Sequence, residues 1–220
     1  MGQEAPAGER QTMRERHTEV TRDAIMGALA DIIAESGVHN FTVQQVADRA
    51  GVSHRTVYRH FPTRDALMEG VSGWLEEQWK KRGAPGVPSS ADEIVEGVAL
   101  VYRLFDEYDP LVRALAIAYA TTEFRPEVRD ERTRGFERAF REAVPGADEQ
   151  TVRRLFLAGR ALAGTQTWLF FREHMNVSGA EAGDAVQWAI RVLIDAARQE
   201  ATAARDIGAD GATPTTERDS

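Results

Sequence analysis

Apolar residues recur along this chain at helical spacing. Ile25, Ala28, Leu29, Ile32 and Ile33 fall at i, i+3, i+4, i+7 and i+8, one buried helical face, and Gly37 follows as a left-handed stop. They predict a first helix over 18–36. Thr42 with Gln45 three residues on forms a capping box, and Phe41 staples onto Val46, so a short second helix covers 43–50. Gly51 turns the chain, and Ser53 caps a third helix that ends near Phe61-Pro62. Thr63 begins a fourth, through Leu67, Val71, Trp74 and Leu75 to Arg82. "GAPGVPSS", 83–90, reads as a linker. Beyond it, Ser90 with Glu93, Asp109-Pro110, Pro126, Asp148, and Ser178 with Glu181 each open a helix, the one from Asp148 running to His174. The last carries the stripe Val186, Ile190, Leu193 and Ala197. From 201 to 220 the chain is Ala, Gly, Thr and Asp with few apolar anchors, and is expected to be disordered. With no strand alternation and no internal repeat, the fold class expected is all-α with about nine helices.

Composition adds little to this and charge adds much. At 220 residues, 42% hydrophobic and 28% charged, the chain is an ordinary globular protein of one or two domains. It has no cysteine, which excludes disulfides, thiol catalysis and Cys-based zinc sites. The first twenty residues lack an apolar signal segment, and a cytoplasmic location is expected. The stretch from Leu155 to Phe171 is interrupted by Arg160 and is too short for a membrane span. A net charge of −8 argues against indiscriminate coating of nucleic acid. Yet Arg49, Arg55, Arg59 and Arg64 lie in a stretch without one acid. Catalysis finds no support. There is no Gly-rich phosphate loop, no Gly-x-Ser-x-Gly elbow, and His17, His39, His54, His60 and His174 have no ligand spacing, so no enzyme activity, metal or cofactor is expected.

On a wheel centred at Val57, Ser53 and Phe61 fall about 40° to either side, a narrow core stripe. Arg55, Thr56, Tyr58 and Arg59 occupy the opposite half. Two short helices joined by a tight glycine turn need the first helix beneath them, which is the helix-turn-helix arrangement. Its second helix enters the major groove, and Arg55 and Thr56, near that helix's start, stand where base edges are usually read. A carboxylate on such a face would meet phosphate.

The string "FTVQQVADRAGVSHRTVYRHFPTRDAL" within Thr21–Leu75 resembles the DNA-binding domain of the tetracycline-repressor (TetR) family of bacterial regulators. The resemblance rests on Phe41-Thr42, Val46-Ala47, Ala50 to Ser53, Tyr58-x-His60-Phe61 and Thr63-Arg64-Asp65-x-Leu67. His54-Arg55 departs from the small or lysine residue followed by glycine of many members, and Arg64 replaces their usual lysine. The resemblance implies that Thr42, Tyr58, His60 and Arg64 hold phosphates. It implies that Ser53, His54, Arg55, Thr56 and Arg59 face bases or nearby backbone, with Thr63 in the same run. Plainer roles stand beside these: His60 as a helix-end cap, His54 as a solvated flank, Tyr58 as a packed core side chain. Arg14 and Arg16 belong either to a minor-groove arm or to a solvated tail.

The resemblance further implies a helical effector-binding and dimerising domain. The expected organisation is a flexible arm at 1–17, the DNA-binding domain at 18–66, the helical domain at 67–200 and a tail at 201–220. Tyr102, Phe105, Tyr119, Arg160, Gln166 and Trp168 are the candidate lining of an effector pocket, with plain core packing the alternative for any one aromatic. Arg160 either pairs with an acid of a neighbouring helix or anchors an anionic effector. Ala158 and Ala161, with Val186, Ile190, Leu193 and Ala197, are the candidate dimer interface. Double-stranded operator DNA, an unknown small-molecule effector and a second copy of the chain are the partners expected, with no membrane. The function expected is a homodimeric repressor released by its effector. The alternative is a helical regulator or adaptor acting through protein partners without effector control.

Overall fold

The computed structural model describes residues 13–121 and 127–210, leaving aside the side chains of residues 14, 119, 121, 127, 128 and 207–210. Among the described residues the chain is all-α, with ten helices and no strand. These are α1 (Met13–Ser36), α2 (Val43–Ala50), α3 (His54–His60), α4 (Arg64–Lys81), α5 (Ala91–Glu107), α6 (Asp109–Thr121), α7 (Glu127–Ala143), α8 (Glu149–Leu162), α9 (Thr165–His174) and α10 (Gly179–Asp210). The chain divides into two compact units at Leu75 and Glu76, inside α4. That is later than the boundary expected after residue 66. The first unit keeps the start of α4 because Leu67, Val71 and Leu75 are buried there and Trp74 Nε1 donates to the Asp23 carboxylate at 2.8 Å.

In the first unit, Ile25, Leu29 and Ile33 of α1 share a core with Val46 and Ala47 of α2, Val57 of α3, and Leu67 and Val71 of α4. Helices as short as α2 and α3 are marginal alone, and this shared core is what holds them. Residues 13–17, expected in a flexible arm, are the first turns of α1. The rest of that arm, residues 1–12, lies outside the described residues.

In the second unit, α10 packs along α5 and against α8, and α7 packs on α8. Gly183 allows a close approach of α10 to α5. A Cβ there would lie 2.9 Å from the Ala99 Cα of α5, nearer than any side chain is accommodated without backbone movement.

Two expectations about this unit are corrected. The helix expected from Asp148 to His174 is two, because Gly164 adopts an extended conformation (φ −92°, ψ 156°). At the break the Ala161 carbonyl accepts both the Gly164 N–H at 3.2 Å and the Thr167 hydroxyl at 2.7 Å. Nor is 201–210 disordered: α10 continues to Asp210, with Ala201 buried. Arg198 Nε donates to the Ala143 carbonyl at 3.0 Å, and Arg205 donates to the Pro145 carbonyl. The end of α7 thereby docks α10. Residues 211–220 lie outside the described residues.

Candidate nucleic-acid interface

The local sequence sets the geometry of α2 and α3. Thr42 accepts the Gln45 N–H at 3.2 Å, and the Gln45 side chain accepts the Thr42 N–H at 2.8 Å, closing the capping box. Gly51 takes φ 67°, a left-handed residue that ends α2 and turns the chain. Ser53 then caps α3, accepting the Thr56 N–H at 3.1 Å while its hydroxyl meets that of Thr56 at 2.8 Å. Val57 and Phe61 are buried, as expected of the core stripe, while Ser53, its third member, is exposed and serves as the cap.

The opposite face of α3 carries His54, Arg55, Tyr58 and Arg59, all exposed, with Thr56 half-buried. His54 packs edge-on to Tyr58, ring centroids 4.7 Å apart. The four arginines of the acid-free stretch separate into two kinds. Arg49 pairs with Glu35 at 2.8 Å. Arg64 donates to the Val38 carbonyl at 2.6 Å and the Phe41 carbonyl at 3.2 Å, with its guanidinium 3.9 Å from the Phe41 ring centroid. Both terminal nitrogens expected to fork a phosphate are therefore engaged, and Arg64 ties the start of α4 to the residues before α2. Neither Val38 nor Glu35 carries a sequence signal for these roles. Arg55 and Arg59 have no ion pair among the described residues, and they are the cations this face presents. Thr42, Ser53 and Thr63 sit at helix starts, and Thr63 caps α4 through the Ala66 N–H at 3.0 Å.

His60 departs from the phosphate role. Its Nε2 is covered by protein and has no hydrogen-bond partner among the described residues. Burial, reinforced by the charges of Arg59 and Arg22, holds its pKa below the ordinary 6.5. A depressed histidine pKa means that the unfolded chain binds the proton more readily than the folded one. Stability is then fully present above pH 6.5 and is lost as the pH falls towards the folded-state value. Thermal melts of wild type and His60→Asn between pH 7.5 and 5 test this, the expected result being a shallower pH dependence in the variant.

Residues 25–71 match the family described as bacterial regulatory proteins, tetR family. This stretch of the chain is a tetR-family domain. It is 28% identical over 121 residues to the nucleoid occlusion factor SlmA of Vibrio atlanticus, a match covering 53% of this chain and 61% of that protein. With SlmA of Aliivibrio fischeri it shares 37% over 57 residues, 26% of this chain and 29% of the relative. The chain thus spans about three-fifths (61%) of the length of the first of these relatives. Its fold is that of a tetR-family regulator from Streptomyces coelicolor, at TM-score 0.61 and 15% identity over 84% of this chain and 89% of that one. NalD, the secondary repressor of the MexAB-OprM multidrug efflux pump in Pseudomonas aeruginosa, has the same fold at TM-score 0.55 and 20% identity, over 80% and 95% of the two chains.

In the second unit, the candidate pocket residues separate. Tyr102, Phe105 and Trp168 are buried in one aromatic cluster with Trp79, ring centroids 5.2–5.7 Å apart. The Tyr102 hydroxyl donates to the Leu162 carbonyl, and Trp168 Nε1 to the Asp106 carboxylate at 2.8 Å. The polar atoms of Tyr102 and Trp168 are satisfied within the fold, the arrangement of a packed core, while Trp79 Nε1 is buried without a hydrogen-bond partner among the described residues. The Tyr119 side chain lies outside the described residues. Gln166 is exposed and donates to the Ala116 carbonyl at 2.7 Å. Arg160 makes no ion pair among the described residues; its Nε donates to Thr133 Oγ1 at 3.4 Å.

The candidate dimer residues are corrected in part. Val186, Ile190 and Ala197 are buried within the chain's own core, where α10 meets its neighbours. An apolar stripe declares that it is buried and not by which chain. Leu193 and Ala158 are half-buried, and Ala161 is exposed. The exposed large apolar residues of these helices are others: Leu157 on α8 (51% exposed), and Trp188 (66%) and Val192 (45%) one turn apart on α10.

Proposed function

We propose that the chain is a sequence-specific DNA-binding transcriptional regulator of the cytoplasm, acting as a homodimeric repressor that a small-molecule effector releases from its operator. The observation that carries the DNA-binding part is the exposed face of α3. There Arg55, Tyr58 and Arg59 stand without an acid, while the other two arginines of the stretch are committed to the fold. In this reading α3 lies in the major groove, with Arg55 and Thr56 at base edges and Tyr58, Arg59 and the capped starts of α2 and α4 positioning the backbone. No helix among the described residues is long and apolar enough to cross a membrane.

The homodimer is supported by Leu157, Trp188 and Val192, exposed on two helices that pack together. A two-fold dimer presents its reading heads roughly 34–36 Å apart, one turn of duplex, to a near-palindromic site. Release requires the effector to prefer a state that misfits the operator, and DNA then weakens effector binding by the same factor. Action through protein partners without effector control is a second reading, favoured by the match to proteins named nucleoid occlusion factors.

Selection of bound sequences from a random duplex pool, followed by gel shift of the enriched site, tests the proposal. The expected product is an inverted repeat bound far more tightly than scrambled duplex, by a factor of about 10³ or more. Failure to enrich any sequence would overturn it. Stoichiometric recovery of one dimer per site, reversed by no small molecule but altered by a bound protein, would favour the second reading.

A further inference from the structure

The stripe that α1 buries begins on a charge. Arg22 stands three residues before Ile25 and seven before Leu29, on the same helical face, and it is exposed where those two are fully buried. Its guanidinium lies 4.8 Å from the ring centroid of Phe61, the residue that closes α3. That ring is held from behind. Phe61 is buried, and a Cβ added at Gly70 of α4 would lie only 2.7 Å from it, so α4 backs the ring without slack. Arg22 is therefore seated on a fixed platform at the C-terminal end of α3.

Among the described residues no acid neutralises this group. Asp23, its neighbour, accepts Trp74 Nε1 at 2.8 Å, and Glu19, one turn earlier on α1, forms no ion pair with it. What lies near is basic. Arg59 is exposed in the last turn of α3, and repulsion from both Arg59 and Arg22 reaches His60, so the three side chains share one end of that helix. The Nε2 of His60 is covered and open to no phosphate. An apolar residue at position 22 would have completed the stripe over Phe61. An arginine covers the ring with its stem and adds a cation at the surface.

We propose that Arg22 is a DNA contact contributed by α1: its guanidinium binds a backbone phosphate beside the C-terminal end of α3, where the resemblance had placed His60. A helix with its side chains is about 10–12 Å across and the major groove is about 12 Å wide, so residues flanking the ends of α3 meet the phosphate walls of the groove. Guanidinium nitrogens match phosphate oxygens in pairs, and such contacts fix register without reading sequence. The contact rests on the DNA-binding reading above and adds a second helix to the interface.

Two variants separate charge from packing. Arg22→Met keeps a side chain over Phe61 and removes the cation, and Arg22→Lys keeps the cation. Fluorescence anisotropy of the full chain is measured with the selected site and with scrambled duplex over a range of salt concentrations. Arg22→Met is expected to bind both duplexes roughly three- to tenfold more weakly for each chain bound, with the slope of log affinity against log salt shallower by about 0.9 per chain. Arg22→Lys should keep that slope. Repeating the selection should return the wild-type sequence for both variants, since a phosphate contact carries no base preference.

Wild-type affinity and slope in Arg22→Met would overturn the contact and leave the DNA-binding reading standing. A loss of affinity at unchanged slope, matched by a fall in melting temperature, would also overturn it, because a side chain that only packs on Phe61 behaves that way. Arg22→Gln, polar and uncharged, repeats the comparison if the methionine variant does not fold. A wild type that binds neither duplex would remove the DNA-binding reading and Arg22 with it.

Discussion

Trp168→Ala is expected to cost about 3–5 kcal/mol of unfolding free energy, the range for emptying a large aromatic site in a packed core. For a chain of this length that corresponds to a fall in melting temperature of roughly 10 °C. The side chain is fully buried, packs edge-on to Phe105 with ring centroids 5.7 Å apart, and donates to Asp106. Asp106 also accepts the Gly179 N–H at 2.6 Å, where α10 begins, so the indole joins α9 to α5 and α5 to α10. Trp168→Phe keeps most of the packing and loses the N–H, and its expected cost is smaller, about 1–2 kcal/mol. Calorimetry of the three proteins measures both. A cost below about 1 kcal/mol for the alanine would mean that the ring lines open space, returning it to the effector pocket that its sequence context suggested.

Trp168 also illustrates where the sequence was legible. Elements marked by local chemistry were readable: Thr42 with Gln45, Ser53 and Asp148 each accept the backbone N–H their spacing implied. The Ser90 box is half as expected, since Ser90 caps α5 while Glu93 reaches the N–H and hydroxyl of Ser89 instead. The short-period stripe of α3 was equally readable, because Val57 and Phe61 have few competing apolar neighbours on so basic a helix.

What failed depends on partners far along the chain. Val186 and Ile190 read as a sticky face, and only tertiary packing shows α5 covering it. Ala201 and Arg205 look like tail residues, yet Ala201 is buried and Arg205 donates to the Pro145 carbonyl 60 residues earlier. Arg64 resembles a phosphate ligand in every local respect, and its acceptors are carbonyls 23 and 26 residues earlier. Arg160 reads from sequence as a lone charge in an apolar stretch, and only packing shows its Nε on Thr133 and its guanidinium over Phe136 of another helix.

The same sorting of arginines predicts how DNA binding fails. Arg55→Ala is expected to weaken binding to the selected site by about 1–3 kcal/mol, roughly 5- to 150-fold, and to relax base preference at one position of each half-site. Arg59→Ala, further along the helix, should weaken selected and scrambled duplexes alike and reduce the salt dependence by about one counterion. Arg49→Ala should do less than either, because its guanidinium is already neutralised by Glu35. Both α3 side chains are exposed and make no ion pair among the described residues, so neither substitution should unfold the domain. Circular dichroism of the variants checks that, and gel shifts at two salt concentrations give the rest. Arg55→Ala binding the selected site as tightly as wild type, with its preference intact, would remove α3 as the element that reads sequence. Equal losses for Arg49→Ala and Arg55→Ala would instead mean that the charge of the whole stretch, and not the face that α3 presents, is what DNA meets.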